Sequence, residues 1–566
     1  MKKTISIYIT LLVLFSAACS KRYLEEDNKG GITNEAFYKT ADGYKTLITA
    51  SYAALRDIYG NTPEHDLAGT DIYMEGRDPG ILYRYQNLFA NNATIKTLYE
   101  RVYTAIQYVN AGLYYNDKPV SLSDQQRKEY KAELQFLRAF YHFILIEQFG
   151  GVVINNEYTR SPRISIPRSS LADSYQFVIS EMEEALTNAT SNITAGRVNK
   201  DVINHYLAKV YLTRGWDLNS DADFNKAKSY ADAVISKKGG ITIPYANLWG
   251  QANENNAEFL FTVQYSLTSI KDVKTGGNSQ SSLFTVYGGS GGAGMKRSVD
   301  AFVPANHIHR SFQLNDNRYK YNFMWVTSKD YFTYYGATGD KKVFNYYPVI
   351  TDPNKVTTTA ADTAQWIQEA GGAANLATGF IPFPIWANKA KYNAQVWGST
   401  DRRLPAFKKF DSPENALNST LEYSASVRDI VLARLAETYF LKAEACIALN
   451  QIPEARTLVQ TVIDRPGNKV NNTGDNITNA LNGVTDKTVA LEAYLLETGK
   501  EMLGEYNGRW PLLRRTKMLK YMLEKYNADF ERNNIIFEDK YKYRPIPEDA
   551  IILNEALTSA DQNPGY

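Results

Sequence analysis

"YLAKVYLTRGWDLNSDADFNKAKSYADAVI", residues 206–235, can be laid on "RLAETYFLKAEACIALNQIPEARTLVQTVI", residues 434–463, at a constant offset of 228. Leu207, Ala208, Tyr211, Ala227, Val234 and Ile235 then fall on Leu435, Ala436, Tyr439, Ala455, Val462 and Ile463. In each copy apolar residues recur at helical spacing on both sides of a short polar break. Small residues stand where two helices must cross, with aromatics beside them. Each copy reads as a helix hairpin of tetratricopeptide-like size, which cannot bury its apolar face alone. Two copies so far apart imply helix pairs distributed along the chain, not a tidy tandem solenoid.

Working outward, helical periodicity holds from about residue 36 to 235. Leu134, Leu137, Tyr141, Ile144 and Leu145 mark one apolar stripe, closed by the Gly150-Gly151 pair. From about 250 to 411 the chain turns to Gly, Asn, Ser, Thr and aromatics with weak periodicity, which predicts loops with short strands. Helical spacing returns from Ser426 to about Tyr526, before a Pro-punctuated tail. The fold class is therefore mostly α, with helix hairpins as scaffold and a large loop-rich region on it. Recognition concentrates in loops held on a rigid frame.

The N-terminus carries a different message. Lys2 and Lys3 precede an apolar block from Ile5 to Phe15, shorter than the ~20 residues of a bilayer span, and small residues Ser16, Ala17 and Ala18 come next. This is a secretory leader. Cys19, directly after it, matches the cysteine of a bacterial lipobox, which is acylated after cleavage; acyl chains hold a protein on a membrane without spanning it. An ordinary cut near Ala18 is the competing reading. The only other cysteine is Cys446, so no internal disulfide forms and stability must come from packing.

Lys and Arg number 63 against 61 Asp and Glu, so loss of residues 1–18 with their two lysines leaves a formal charge of zero. That offers nucleic acid no general basic field.

Several catalytic signatures in "LFTVYGGSGGAGMKRS" fail on context. Gly288 to Gly292 spells G-x-S-x-G, but the downstream histidines are only His307 and His309, too close for a triad of that fold. Gly289 to Gly294 matches G-x-G-x-x-G, yet Pro304 interrupts the next segment, and Met295 stands where a phosphate loop needs lysine. Asp217, Asn219, Asp221 and Asp223 have calcium-loop spacing, but Ala222 replaces the turn glycine and Lys228 the final glutamate, so a solvated turn is the better reading. His307 and His309 lack a third ligand, which favours an ordinary surface role over a metal site. No cofactor is expected. Carboxylates are plentiful, but nothing selects a glycosidase pair. The informative excess is aromatic, 41 Tyr and 7 Trp. Flat rings suit the apolar faces of sugars while polar neighbours bond the hydroxyls; they equally suit a protein interface.

Five ordered segments carry a family resemblance: "FYKTADGYKTLITASYAALRDIYG" (37–60), "AELQFLRAFYHFILIEQFGGVVI" (132–154), "ARLAETYFLKAEACIALNQIPEAR" (433–456), "KEMLGEYNGRWPLLRR" (500–515) and "YRPIPEDAIILNEALTSADQNPGY" (543–566). Together they resemble the SusD/RagB family of outer-membrane nutrient-binding lipoproteins. Leu98 stands where many members have tryptophan, and Glu25, Glu26 and Asp27 resemble the acidic surface-export signal of such lipoproteins.

The resemblance implies a non-catalytic protein of the cell outer membrane, lipid-anchored through Cys19 and facing outward. Its implied partner is a SusC-like TonB-dependent barrel, to which it delivers an oligosaccharide or, in some members, a peptide. The alternatives are a purely structural lid or scaffold of an envelope complex and, from another class, a glycoside hydrolase. The implied organisation is a leader over 1–18, a tether over 19–35, an N-terminal helical region over 36–250, a ligand-facing region over 251–415 and a C-terminal helical region over 416–566. Two stretches resemble the family's ligand-facing loops: "DLAGTDIYMEGRDPGILYRY" and the loops from Tyr287 to Trp397. Candidate stacking platforms are Tyr73, Trp325, Tyr331, Tyr334 and Tyr335, with Asp71, Arg77 and Asp78 as hydrogen-bonding candidates.

Overall fold

The computed structural model describes residues 33–60, 63–76, 80–119, 121–161, 165–269, 277–284, 301–328, 334–335, 341–350, 352, 355, 357–382, 384, 388–398, 404–411, 426–470 and 476–566. The leader, Cys19, the acidic run and the 285–300 glycine segment lie outside them.

The scaffold is built from long helices: α1 (Ala41–Tyr59), α2 (Ala93–Tyr115), α3 (Asp124–Phe149), α4 (Leu171–Asn188), α5 (Lys200–Leu218), α6 (Asp221–Lys238), α7 (Leu435–Ala448), α8 (Ile452–Ile463) and α9 (Lys487–Glu501). Their ends are set locally. Ser123 and Gln126 form a reciprocal capping box at the start of α3, and Gly150, at φ 77°, ends it. Asn219, at φ 55°, turns the chain between α5 and α6, and Ser220 caps α6. Gly215 lies at the α5–α6 crossing, where a Cβ would come within 2.7 Å of the Phe224 ring. None of the described helices is long and apolar enough to cross a membrane.

Each helix from α1 to α6 packs on the next in chain order. The stack then continues from α6 directly onto α7, and from α7 onto α8. The two repeat copies, distributed along the chain as their spacing implies, are thus immediate neighbours: they are adjacent in space although not in sequence. The apolar faces merge into one large core that includes Tyr141, Leu207, Ala227, Ala436, Cys446 and Trp510. By the area rule, each fully buried Leu, Ile, Val or Phe contributes roughly 1.5–3 kcal/mol.

The short strands belong to the excursion between α6 and α7 and to its neighbours. Strand β1 (Tyr73–Glu75) pairs antiparallel with β3 (Phe302–Pro304), and β2 (Phe259–Val263) pairs antiparallel with β7 (Ile430–Arg434). Strands β4 (Val326–Thr327), β5 (Val343–Tyr346) and β6 (Leu376–Pro382) form a mixed sheet in that order. A smaller core of Met74, Val303, Tyr346, Tyr347, Trp366, Tyr392 and Val396 packs around it.

A buried charge network joins the two parts. Arg434 pairs with Glu258, Glu501 and Glu505, Arg465 with Glu258 and Glu501, and Arg318 with Asp316, Glu497 and Glu501. Burial alone would raise the Glu501 carboxyl, but the Arg465, Arg434 and Arg318 guanidiniums overcome it and hold the group down at about 2.

Candidate functional site

The small sheet and the helix Ala360–Glu369 enclose a cleft of about 500 Å³. Trp325 enters it from the residue before β4. Its carbonyl accepts the Tyr347 backbone N–H at 2.8 Å, which extends the β4–β5 pairing and fixes both aromatics. Tyr346 meets the Trp325 ring edge-on, with centroids 5.8 Å apart and an interplanar angle of 76°. The Lys320 ammonium lies 4.7 Å from the Trp325 ring centroid. Trp366 lines the cleft from the helix side, where a capping box between Thr359 and Asp362 starts the helix.

Polar groups converge on this aromatic lining. Lys355 pairs with Asp362 at 2.5 Å, and with the Thr359 backbone N–H this holds the Asp362 carboxyl down at about 2. The Tyr346 hydroxyl donates to Glu369, whose other oxygen accepts from Gln365 at 2.9 Å. Burial first, and Glu369 second, push the Tyr346 hydroxyl far up, so it stays protonated and donates. The arrangement offers flat rings, two lysines, and amide and carboxylate acceptors in one cleft, which suits a polyhydroxylated ligand. Asp362 is shifted the wrong way for a general acid.

Of the residues singled out in the sequence, Trp325 lies in this cleft. Asp71 and Tyr73 do not, and their assignment to ligand is corrected. Asp71 is 0 % exposed and held bidentately by Arg509 at 2.8 and 2.5 Å. Tyr73 sits in β1, and its hydroxyl accepts the Gly504 N–H at 2.6 Å. Tyr73 is 1 % exposed, so both residues are buried braces between distant parts of the chain, and the Tyr73 ring has no open face for stacking. Tyr334 and Tyr335 stand edge to face at 4.8 Å, with the Tyr335 hydroxyl donating to Asp411 at 2.7 Å, and neither lines the cleft. Arg77, Asp78 and Tyr331 lie outside the described residues. His309 is buried and bonded to the Tyr392 hydroxyl at 3.0 Å, which corrects the surface role expected for it, while the half-buried His307 lies with its ring 4.6 Å from that of Tyr526. Asp217 and Asp223, expected in a solvated turn, are instead ion-paired with Arg514 and Arg214. Among the described residues, no group of three His, Cys, Asp or Glu side chains is placed to hold a metal ion.

The sequence reading missed Trp366, Tyr346, Tyr347 and Lys320. One signal was there to find: Thr359-x-x-Asp362 before "AQWIQEA" is a capping box opening an amphipathic helix.

Comparison with known proteins places these features in context. The model of the SusD family matches residues 257–566. A second, described as "Starch-binding associating with outer membrane", matches residues 65–212. A SusD-like protein of Bacteroides ovatus is 24% identical over 284 residues, 47% of this chain, and the match spans only half the length of that relative. SusD-like protein P38 of Formosa agariphila is 24% identical over 547 residues, covering 92% of this chain and 94% of its own. The solved structure of a laminarin binding SusD-like protein superposes with a TM-score of 0.65 at 18% identity, covering 94% of this chain and all of that one.

Proposed function

This chain belongs to the SusD family, and from that premise we propose that it is a non-catalytic, outer-membrane nutrient-binding lipoprotein that captures an oligosaccharide in the Trp325 cleft. The observation that carries the reading is the cleft itself: about 500 Å³, lined by Trp325, Trp366, Tyr346 and Tyr347, with Lys, Asp, Glu and Gln side chains between the rings. Sugar rings stack on such faces through their C–H groups while the polar side chains take the hydroxyls. The relatives' names point the same way, since one family model is described as starch-binding and one neighbour as laminarin binding.

Anchoring through an acylated Cys19, an outward orientation and delivery to a SusC-like TonB-dependent barrel complete the proposal. Capture for delivery requires release, so affinity should be modest. The test is a soluble form beginning after Cys19, screened on a glycan array and then titrated calorimetrically against each hit. A defined oligosaccharide bound without release of reducing ends supports capture. Sustained release of reducing ends would make the protein a hydrolase, and silence across plant, host and microbial glycans would shift the ligand to peptide or leave a structural lid.

A further inference from the structure

A second cavity, of about 230 Å³, lies away from the aromatic cleft, between α1, α2 and the C-terminal segment. For scale, an apolar cavity of ~150 Å³ takes up benzene. Its mouth is on the exposed side of α2 at Thr94 and Thr97, and its wall includes Glu64, Gln148 and Arg544.

Arg544 is the unusual member. It is 1 % exposed, and none of its three guanidinium nitrogens meets an acceptor among the described residues. The other largest fully buried arginines, Arg318, Arg434 and Arg465, each pair with two or more carboxylates. Arg544 instead lies on the Trp510 ring, 4.1 Å from its centroid, with Tyr85 at 5.6 Å. Aromatic faces hold the plane of the guanidinium and leave its edge of N–H donors unused. An isolated buried cation is strongly disfavoured, and the fork it presents matches a carboxylate bidentately.

The neighbours narrow the ligand. The Arg544 backbone N–H donates to the Gln148 carbonyl at 2.7 Å, which sets the two side by side. The Gln148 side-chain nitrogen donates to the His65 carbonyl at 3.2 Å, while its oxygen is buried and unpartnered. That oxygen accepts a hydrogen, so it asks for a hydroxyl. Burial, and then the Arg544 charge, pull the His65 imidazole down to about 3, so it adds no positive charge. With Arg101 also on the wall and Glu64 opposing, the charged side chains among the described residues sum to one positive charge, which favours a monoanion over a phosphate dianion.

We propose that this cavity is a receptor for a small hydroxylated monocarboxylate, its carboxylate taken by Arg544 and its hydroxyl by Gln148. The site is independent of the glycan cleft.

Purified protein is titrated at pH 8 and constant ionic strength with lactate, propionate and inorganic phosphate, with thermal denaturation and calorimetry as readouts. Lactate should raise Tm by a few degrees at saturation, propionate less, and phosphate not at all. Glu64→Gln removes the opposing charge and should tighten lactate binding about fivefold. Arg544→Met should abolish it; should that variant fail to fold, Glu64→Gln still decides. Trp325→Ala should leave the lactate response unchanged, which separates this site from the glycan cleft. No response to any probe, an equal response to phosphate, or an unaltered affinity in Glu64→Gln overturns the proposal.

Discussion

The Trp216 indole N–H donates to Glu444 at 3.0 Å, and Glu444 stands 228 positions later, at the place Trp216 itself holds in the earlier copy of the repeat. Lys209 and Glu437 repeat the relationship at 3.1 Å, also 228 apart. Each residue therefore meets its own counterpart, so α5 and α7 run side by side in register.

Glu444 also accepts Arg515 through both oxygens at 2.9 Å and the Tyr494 hydroxyl at 3.0 Å. Glu444→Ala strands a buried guanidinium and an indole N–H. The expected loss is about 3–5 kcal/mol of stability, read by urea denaturation. A change below about 1 kcal/mol would mean that this contact does not hold the stack.

The Glu501 network makes stability acid-sensitive. Its carboxyl is held at about 2, below the ordinary 4.5, so its contribution is complete above about 4.5 and drains away as pH falls toward 2. Wild type should lose stability across that window more steeply than Glu501→Gln, which starts lower at neutral pH. Parallel denaturation curves from pH 6 to 2.5 check the slope.

Tyr73→Phe separates bracing from binding. It keeps the ring but leaves the Gly504 N–H without its acceptor, for a cost of about 1–3 kcal/mol. Glycan affinity by calorimetry should be unchanged.

Trp325→Ala should show the opposite pattern. It removes a half-buried ring from the cleft, weakening glycan binding by about 1 kcal/mol or more, roughly fivefold in Kd. Unchanged affinity would remove Trp325 from the binding surface.

Burial pushes the Cys446 thiol up to about 12. In the soluble form beginning after Cys19, a thiol reagent at pH 8 should find nothing to modify in the native state and one group after unfolding. Rapid modification of the native protein would contradict the burial.

The helices were legible because their periods and caps are local. The 206–235 and 434–463 hairpins, the Gly150 stop and the helical scaffold all come from spacing and end chemistry. What spacing does not carry is which distant elements touch. Nothing near Asp71 announces Arg509, and nothing near Tyr73 announces Gly504, so two buried braces looked like an exposed polar-aromatic loop. Trp325 was legible as an aromatic in a loop-rich region. Its neighbour Tyr346 comes from one of the short strands expected in that region but not placed, and Trp366 from a helix that was not expected there, because short elements have too few residues to show a period.

The pairing of Phe259 with Arg434 and of Val263 with Ile430 ties off the excursion between α6 and α7 at its base. A loop closed this way has its ends fixed whatever its length, and doubling that length adds only about 0.6 kcal/mol of closure entropy. The stack and the cleft can therefore diversify at different rates: insertions and exchanges between β2 and β7 can reshape the cleft while the helices beneath keep their register.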